Sequence, residues 1–296
     1  MSGTALIGLG AMGMGMARNI LAAGIPLRGF DLSEASLGRF AALGGNVAGS
    51  AAAAAEGCDL VMLMVVDAAQ TRAVLFDAGV AAAMAPGGVV VMTSTFSPDD
   101  ARSIAARLGK MGLLAIDAPV SGGQVGAEAG TLTVMASGPD AAFDRAEAVL
   151  SAIAGKVYRL GPENGIGATY KVVHQLAAGV HLVAAAEFMA LGAKAGCDPA
   201  TLFDIVSRSA GNSWMLENRG PRMMQEDPAV TSAVDIFVKD VGLALNLGAG
   251  SRAPLPLAAA AHQMLVGASA MGHGRDDDSL VIRAYEALTG KPVYKS

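Results

Sequence analysis

Short apolar runs alternate with alanine-rich stretches of helical spacing from residue 4 to about residue 160. This alternation predicts parallel β-strands joined by crossover helices, because a parallel strand pair needs a long connection that a helix usually supplies. The runs at 59–66 and 88–95 are apolar at nearly every position, as strands covered by helices on both faces require. We predict strands at 4–9, 26–31, 59–66, 88–95, 113–120, 131–137 and 156–160.

The pattern changes after Gly161, where β-branched runs give way to long stretches of Ala, Leu, Met and Val. Residues 165–196 predict one helix that is apolar nearly all round and therefore buried on most sides, and Asp198 is predicted to cap the next helix. The expected organisation is a doubly wound parallel sheet in residues 1–163 and an all-α domain in residues 164–296. Further helices are predicted at about 199–209, 233–249, 255–271 and 277–288.

Composition excludes several classes of protein. With 21 Lys and Arg against 26 Asp and Glu, the formal net charge is −5, which argues against nucleic-acid binding. The longest uninterrupted apolar run, 60–66, is strand length, and no secretory signal pattern opens the chain, so we expect a cytoplasmic protein without membrane contact. Two cysteines are too few for a disulfide framework. Because only 16% of residues are charged, we expect a homo-oligomer, a dimer or tetramer, that covers apolar surface.

A glycine-rich motif follows the first predicted strand and opens a helical pattern. Its residues are Gly8, Leu9, Gly10, Ala11, Met12 and Gly13. In a Rossmann domain the first glycine permits a tight turn, the second lets backbone amides reach a pyrophosphate, and the third lets the helix pack close to the strand. The motif therefore predicts a Rossmann domain that binds a dinucleotide at a helix N-terminus.

Asp31 ends the next strand, 21 residues beyond Gly10. A carboxylate at this place accepts hydrogen bonds from the ribose 2′-hydroxyl and repels a 2′-phosphate, so NAD is the predicted cofactor rather than NADP. Two alternatives stay open, namely that Asp31 is an ordinary loop acid, or that Ser33 caps a helix and Asp31 merely lies nearby.

Five segments together resemble the β-hydroxyacid dehydrogenase family, which includes 3-hydroxyisobutyrate dehydrogenase. The resemblance extends over almost the whole chain, and the runs KVVHQ at 171–175 and DDDS at 276–279 are most similar to members that act on four-carbon acid sugars. It implies NAD-dependent oxidation of a short hydroxyacid, such as L-threonate at carbon 2, or else 3-hydroxyisobutyrate or tartronate-semialdehyde chemistry. The five segments are GLGAMGMGMARNI at 8–20, TSTFSP at 93–98, DAPVSGG at 117–123, GIGATYKVVHQ at 165–175 and IFVKD at 236–240.

The resemblance also implies roles for individual residues. Lys171 corresponds to the family's catalytic acid/base, and Gly167, Lys171 and Gln175 would share one helix face, with the glycine leaving room for substrate. An amine needs a lowered pKa to act as a base at neutral pH, and Lys239 is the expected nearby cation. The substrate would be held by Ser121, Gly122, Gly123, His174 and Gln175, and the cofactor would also contact Val65, Val66, Thr95 and Lys239, with Asp240 in support.

Gln175 departs from the family's commoner pattern, which has asparagine four residues after the catalytic lysine. The amide is kept but lies one methylene further out, which favours a different substrate length, and His174 would face the substrate hydroxyls.

Simpler interpretations stay open for each group. Lys171 could extend to the surface, and Ser121-Gly122-Gly123 could be an ordinary turn. His174 and His181 predict no metal site, because no carboxylate stands at ligand spacing, and Asp276-Asp277-Asp278-Ser279 is interpreted as a helix cap rather than a calcium loop. The chain could also be a nucleotide-binding scaffold without activity.

Overall fold

The computed structural model describes residues 3–294 and divides into two compact units, with the division between Lys171 and Val172. The division falls inside one long helix, whereas the sequence places the domain boundary before that helix, between residues 163 and 164. The predicted boundary stays a prediction about where one functional domain ends and the next begins.

The first unit is built around a six-stranded sheet in which every neighbouring pair is parallel. The strand order is β3-β2-β1-β4-β5-β6, the arrangement of a doubly wound dinucleotide fold, so the predicted α/β class is confirmed. The strands are β1 (Thr4–Ile7), β2 (Leu27–Phe30), β3 (Asn46–Val47), β4 (Leu60–Leu63), β5 (Val89–Met92) and β6 (Leu114–Asp117).

Successive residues of the central strands enter two separate hydrophobic cores. In β4, Leu60 and Met62 pack into one core, whereas Val61 and Leu63 pack into the other. The pleat sends alternate side chains to opposite faces, so a strand covered on both faces must be apolar at every position. This is the physical reason for the uninterrupted apolar runs in the sequence.

Helices of the first unit cover the sheet and connect its strands. Between Arg72 and Ala78 the chain makes one π-helical turn, Ala73–Asp77. The α-helices are α1 (Ala11–Ala22), α2 (Glu34–Ala42), α3 (Ala51–Ala55), α4 (Ala68–Arg72), α5 (Val80–Ala83), α6 (Pro98–Lys110), α7 (Gly123–Ala129) and α8 (Asp140–Ile153).

A second, three-stranded sheet corrects the predicted single set of parallel strands. Its strands are β7 (Val120–Ser121), β8 (Leu132–Ala136) and β9 (Ala154–Arg159), and β7 runs antiparallel to β8. The predicted strand 113–120 is therefore interrupted after Asp117, which pairs with Ser137 through a single antiparallel bridge. The connection from β7 to β8 contains only the short α7, which is too little chain for a parallel crossover.

The second unit consists of helices. The sequence left residues 214–223 outside its predicted helices, although Ser213 gives a capping signal and accepts the N–H of Leu216 at 3.1 Å. Asp198 caps α10 as predicted, accepting the N–H of Thr201 at 2.9 Å. The helices are α9 (Ile166–Ala195, shared with the first unit), α10 (Pro199–Ser207), α11 (Trp214–Met223), α12 (Val234–Ser251), α13 (Pro256–Ala270) and α14 (Ile282–Thr289).

Helix α9 is long and apolar enough to cross a membrane by length and composition alone, although polar residues interrupt its apolar runs. Half of its most apolar stretch is buried inside the protein. Residues Leu182, Ala186 and Met189 of α9 have no exposed surface and form the core of the second unit with residues of α11, α12 and α13. Helix α9 is therefore packed as the core helix of a folded unit is.

Two aspartates of the predicted cap at 276–279 are buried ion-pair partners. Asp277 does cap a short 3₁₀ turn by accepting the N–H of Ser279, but it also pairs with Arg222 at 2.9 Å. Asp278 receives two hydrogen bonds from the guanidinium of Arg219, at 2.8 and 2.9 Å. The segment therefore joins the last helices to α11, in addition to the capping that the sequence predicts.

Candidate active site

The glycine-rich loop between β1 and α1 has the geometry that its three glycines predict. Gly8 has a φ of +95°, and a side chain there would collide with the carbonyl oxygen of Met64. A side chain on Gly13 would collide with the carbonyl oxygen of Gly8, so the helix approaches the strand closely only because Gly13 lacks one. Gly10 is exposed and has open space beside it at the start of α1. These features fit a pyrophosphate cradle at the helix N-terminus.

Asp31 joins this loop to the end of β2. Its Oδ2 accepts the N–H of Leu9 at 2.6 Å, and its Oδ1 accepts the N–H of Ser33 at 2.8 Å. Ser33 also caps α2, so one alternative from the sequence is correct about Ser33, but Asp31 is held against the glycine loop by its own contact. A carboxylate fixed here beside the loop fits the ribose hydroxyls of NAD.

Val65, Val66 and Thr95 lie directly after the next two strands, β4 and β5. Val66 is 46% exposed, and its N–H is held by Gln70 Oε1 at 3.0 Å. Because neighbouring parallel strands end at the same edge of the sheet, these residues lie at the edge that also carries the glycine loop and Asp31. The structure thus brings the predicted nucleotide contacts of the first unit to one sheet edge.

The predicted carboxylate-binding segment follows β6 by a few residues. Ser121 lies in β7 opposite Thr133, and Gly122 and Gly123 have φ angles of +129° and +62°. Residues with side chains rarely adopt such angles, so this backbone depends on both glycines. The hydroxyl and the glycine amides are the donors that a carboxylate would need.

Asn19 is a positioning residue that the sequence analysis did not identify. Its amide donates to the carbonyl oxygens of Gly15 at 2.9 Å and Ala127 at 2.7 Å, which ties α1 to α7. A side chain on Gly15 would come within 2.6 Å of the backbone of Ala127. The helix that starts at the glycine loop therefore also supports α7, the helix that begins at Gly123. Helical spacing alone places Asn19 on α1, but nothing in the local sequence points to α7.

Lys171 lies on α9 and is buried, with 5% of its surface exposed. The alternative that this lysine merely extends to the surface is therefore wrong. The expectation that Gly167 leaves room for substrate is also wrong, because a side chain there would meet the carbonyl oxygens of Met135 and Asp117. Gly167 instead allows the first turn of α9 to pack against the ends of β6 and β8.

Asp117 holds that first turn by accepting backbone N–H groups. Its Oδ2 receives the N–H of Ala168 at 2.7 Å and that of Gly165 at 3.0 Å, while its Oδ1 is buried with no hydrogen-bond partner in the described part of the chain. Burial raises the pKa of Asp117 to about 6, against the opposing effect of these hydrogen bonds. The sequence analysis included Asp117 in a motif but gave it no role.

The raised pKa of Asp117 predicts a pH-dependent stability. The unfolded carboxyl ionises near pH 3.8 and the folded one near pH 6, so its contribution is present below pH 3.8 and is lost as pH rises through about 6. We expect the unfolding free energy of D117N, relative to wild type, to rise over this window by up to about 3 kcal/mol. Urea unfolding of both proteins between pH 4 and pH 8 measures it, and a constant difference across the window would contradict it.

The other predicted site residues form one hydrogen-bonded chain in the second unit. Gln175 Nε2 donates to Asp240 Oδ2 at 2.6 Å, and Lys239 Nζ donates to Asp240 Oδ1 at 2.6 Å. The Nδ1 of His174 lies 3.0 Å from Gln175 Oε1. Because an amide oxygen can only accept, this contact is a hydrogen bond when Nδ1 carries the proton. A neutral His174 ring then carries its acceptor on Nε2.

Lys239 is paired with a buried carboxylate, which changes its expected role. Asp240 is 1% exposed, and its second oxygen holds the Gln175 amide. The charge of Lys239 is therefore partly balanced by Asp240, which weakens its effect as the cation expected near Lys171. Asp240 accepts hydrogen bonds from both Gln175 and Lys239, and its supporting role in the site stays a prediction.

Among residues 3–294, no group of three or more His, Cys, Asp or Glu side chains is arranged to hold a metal ion.

Comparison with known proteins covers nearly the whole chain. Residues 4–161 match the NAD-binding domain of 6-phosphogluconate dehydrogenase, and residues 165–285 match the NAD-binding domain of NADP-dependent 3-hydroxyisobutyrate dehydrogenase. L-threonate dehydrogenase of Cupriavidus necator is 51% identical over 284 residues, covering 96% of each chain. The enzyme of the same name from Escherichia coli is 46% identical over 286 residues, covering 96% of this chain and 95% of the relative.

A solved structure shares the fold closely. The crystal structure of 3-hydroxyisobutyrate dehydrogenase from Salmonella typhimurium superposes with a TM-score of 0.92 at 48% identity, covering 96% of this chain and 99% of the other.

Proposed function

Because this chain belongs to the β-hydroxyacid dehydrogenase family and is an NAD-dependent hydroxyacid dehydrogenase, we propose that its substrate is L-threonate, oxidised at carbon 2. The observation that carries the proposal is the 51% identity, over 96% of both chains, to an L-threonate dehydrogenase. Gln175 supports it, because its amide lies one methylene further out than that of the family's commoner asparagine, which favours a different substrate length. Asp240 and His174 hold the amide in this place.

We propose Lys171 as the general base of this oxidation. NAD supplies the acceptor for the hydride that leaves carbon 2. The neutral amine of Lys171 takes the proton of the carbon-2 hydroxyl, so the alcohol becomes a ketone by losing one hydride to the cofactor and one proton to Lys171. Ser121, Gly122 and Gly123 hold the substrate carboxylate, and Gln175 with His174 contacts the hydroxyls further along the substrate.

The cofactor contacts are proposed for the residues at the sheet edge. Gly8, Leu9, Gly10, Ala11, Met12 and Gly13 cradle the pyrophosphate, and Asp31 binds the adenosine ribose. Val65, Val66, Thr95 and Lys239 contact the nucleotide further along. Asp31 favours NAD, although the family model for the second unit derives from an NADP-dependent enzyme.

A screen of C3 to C6 hydroxyacids tests the proposal. Purified protein is assayed for NADH or NADPH formation at 340 nm with each acid and each cofactor separately. We expect the highest kcat/KM for L-threonate with NAD. A higher value for 3-hydroxyisobutyrate, or for reduction of tartronate semialdehyde, would replace L-threonate as the substrate. A protein that binds NADH but oxidises none of the acids would instead be a scaffold, which the burial of Lys171 opposes.

We also propose a cytoplasmic homo-oligomer of two or four copies. Both cysteines are free thiols, and the second unit exposes large apolar side chains, with Leu191 66%, Leu257 71% and Leu288 76% exposed. Light scattering after gel filtration measures the mass, and the mass of one copy would contradict the proposal. Absence of nucleic-acid and membrane partners stays a prediction from composition.

A further inference from the structure

The first turn of α9 lacks a capping side chain of its own. The residue before the helix is Gly165, which has a φ of +98° and no side-chain oxygen. The first N–H groups of a helix have no partner within the helix, and a preceding Ser, Thr, Asp or Asn usually accepts them. In α9 the acceptors come from elsewhere in the chain.

Two remote side chains, Asp117 and Ser137, supply those acceptors. Asp117 Oδ2 accepts the N–H groups of Gly165 and Ala168, and Ser137 Oγ accepts that of Gly167 at 3.0 Å. Asp117 and Ser137 are themselves fixed to each other by two backbone hydrogen bonds, at 2.9 and 2.8 Å. Both side chains are fully buried, so water cannot replace them as the cap.

The cap also leaves little freedom for the helix to shift. The backbone at Gly167 is so close to the carbonyl oxygens of Met135 and Asp117 that a methyl group would not fit. Helix α9 therefore starts at a point determined by the ends of β6 and β8.

Asp117 lies between two groups that the proposed reaction needs in register. Lys171 follows Ala168 by three residues, about 4.5 Å along the helix axis at 1.5 Å per residue. Ser121 follows Asp117 by four residues on the segment that leads to the glycines. We propose that Asp117 is a positioning residue, whose carboxylate holds the general base of α9 in register with the substrate-carboxylate loop. This inference rests on the proposed roles of Lys171 and of Ser121-Gly122-Gly123.

One oxygen is sufficient for this task. Oδ2 makes both hydrogen bonds to the helix, whereas Oδ1 makes none in the described part of the chain. Asparagine keeps an acceptor oxygen at the same distance from the backbone, and alanine removes it. If Asp117 acts by positioning, D117N should therefore be more active than D117A. If the negative charge were required, both variants should lose activity equally.

Steady-state kinetics of D117A and D117N, with the hydroxyacid that wild type oxidises fastest, test the proposal. D117A is expected to lower kcat by about tenfold to a hundredfold, because a misplacement of about 1 Å at a reacting group has effects of this size. The Kd for NADH should stay within twofold, since the nucleotide loops are elsewhere. D117N should retain kcat within threefold. The matched control is D198A, which removes an aspartate cap from α10 and should leave kcat within twofold.

Two results would overturn the proposal. One is a D117A kcat equal to that of wild type when both are calculated per NADH-binding site. The other is a D117N activity as low as that of D117A, which would show that charge is required. If D117A does not fold, S137A carries the test, since it removes the acceptor of one of the three N–H groups and should lower kcat at least threefold. Failure of L-threonate as substrate leaves this test intact, because it uses whichever acid is oxidised; a wild type that oxidises none overturns both proposals.

Discussion

Replacing Lys171 with methionine is expected to lower kcat for hydroxyacid oxidation by about 10²- to 10⁴-fold, the range over which a positioned general base contributes. Methionine keeps the length and apolar stem of lysine but cannot accept a proton. Because Lys171 is 5% exposed, a water molecule cannot readily take over its role. The measurement is initial velocity at saturating NAD and substrate, together with NADH binding by fluorescence.

The matched control is Lys194→Met, the same substitution at the other end of α9. Lys194 is exposed and donates to the carbonyl oxygen of Thr289 at 2.8 Å, so its loss should leave kcat unchanged within twofold. K171M should bind NADH as wild type does, which separates the loss of chemistry from loss of the fold. A K171M protein with more than a tenth of wild-type kcat would remove Lys171 from the mechanism.

Replacing Asp31 with alanine is expected to reduce kcat/KM for NAD by about tenfold to a hundredfold, since hydrogen bonds to a charged group contribute about 1.5–3 kcal/mol. The kcat/KM for NADP should rise relative to that for NAD, because the charge that repels the 2′-phosphate is removed. D31A also leaves the N–H of the buried Leu9 without its acceptor, so we expect a lower Tm. Kinetics with both cofactors and a thermal melt measure the two effects.

Glu34→Ala is the control for Asp31. Glu34 is exposed in the first turn of α2 and carries the same charge, so E34A removes a nearby negative charge without touching the glycine loop. Its NAD to NADP preference should match that of wild type. An unchanged preference in D31A would contradict the assignment of Asp31 to the ribose and leave it only the structural contacts to Leu9 and Ser33.

The sequence was sufficient for the main sheet because its signals are local. Apolar runs such as 59–66 must be strands covered on both faces, and the three glycines before α1 specify a turn, an open helix start and a close approach. The structure has these features at Gly8, Gly10 and Gly13. The second sheet was predicted less well, because an apolar run does not show that its neighbour is antiparallel, and β7 pairs with β8 through only two residues.

The sequence predicted chemical groups for the candidate site but not the contacts that these groups make. The motif at 165–175 predicts roles for Lys171 and Gln175 through its resemblance to the family. The purpose assigned to Gly167 was wrong, since whether a missing side chain makes room for a ligand or for another strand depends on what packs there. Likewise Lys239 was expected as a cation near the amine of Lys171, and the structure pairs Lys239 with the neighbouring carboxylate of Asp240. The atoms that pack against Gly167 belong to Met135 and Asp117, which are distant from it in the sequence and leave no local pattern there.

What the sequence determined by itself is the set of elements and the groups they carry: a parallel sheet that begins with a dinucleotide loop, helices that follow it, and an amine on the longest of them. Hydrophobic period, glycine spacing and turn residues encode these because each acts over a few neighbouring residues. Only the tertiary structure decided how the helix of Lys171 begins. Its acceptors, Asp117 and Ser137, are far away in the sequence, and a hydrogen bond between distant residues exists only once the chain has folded.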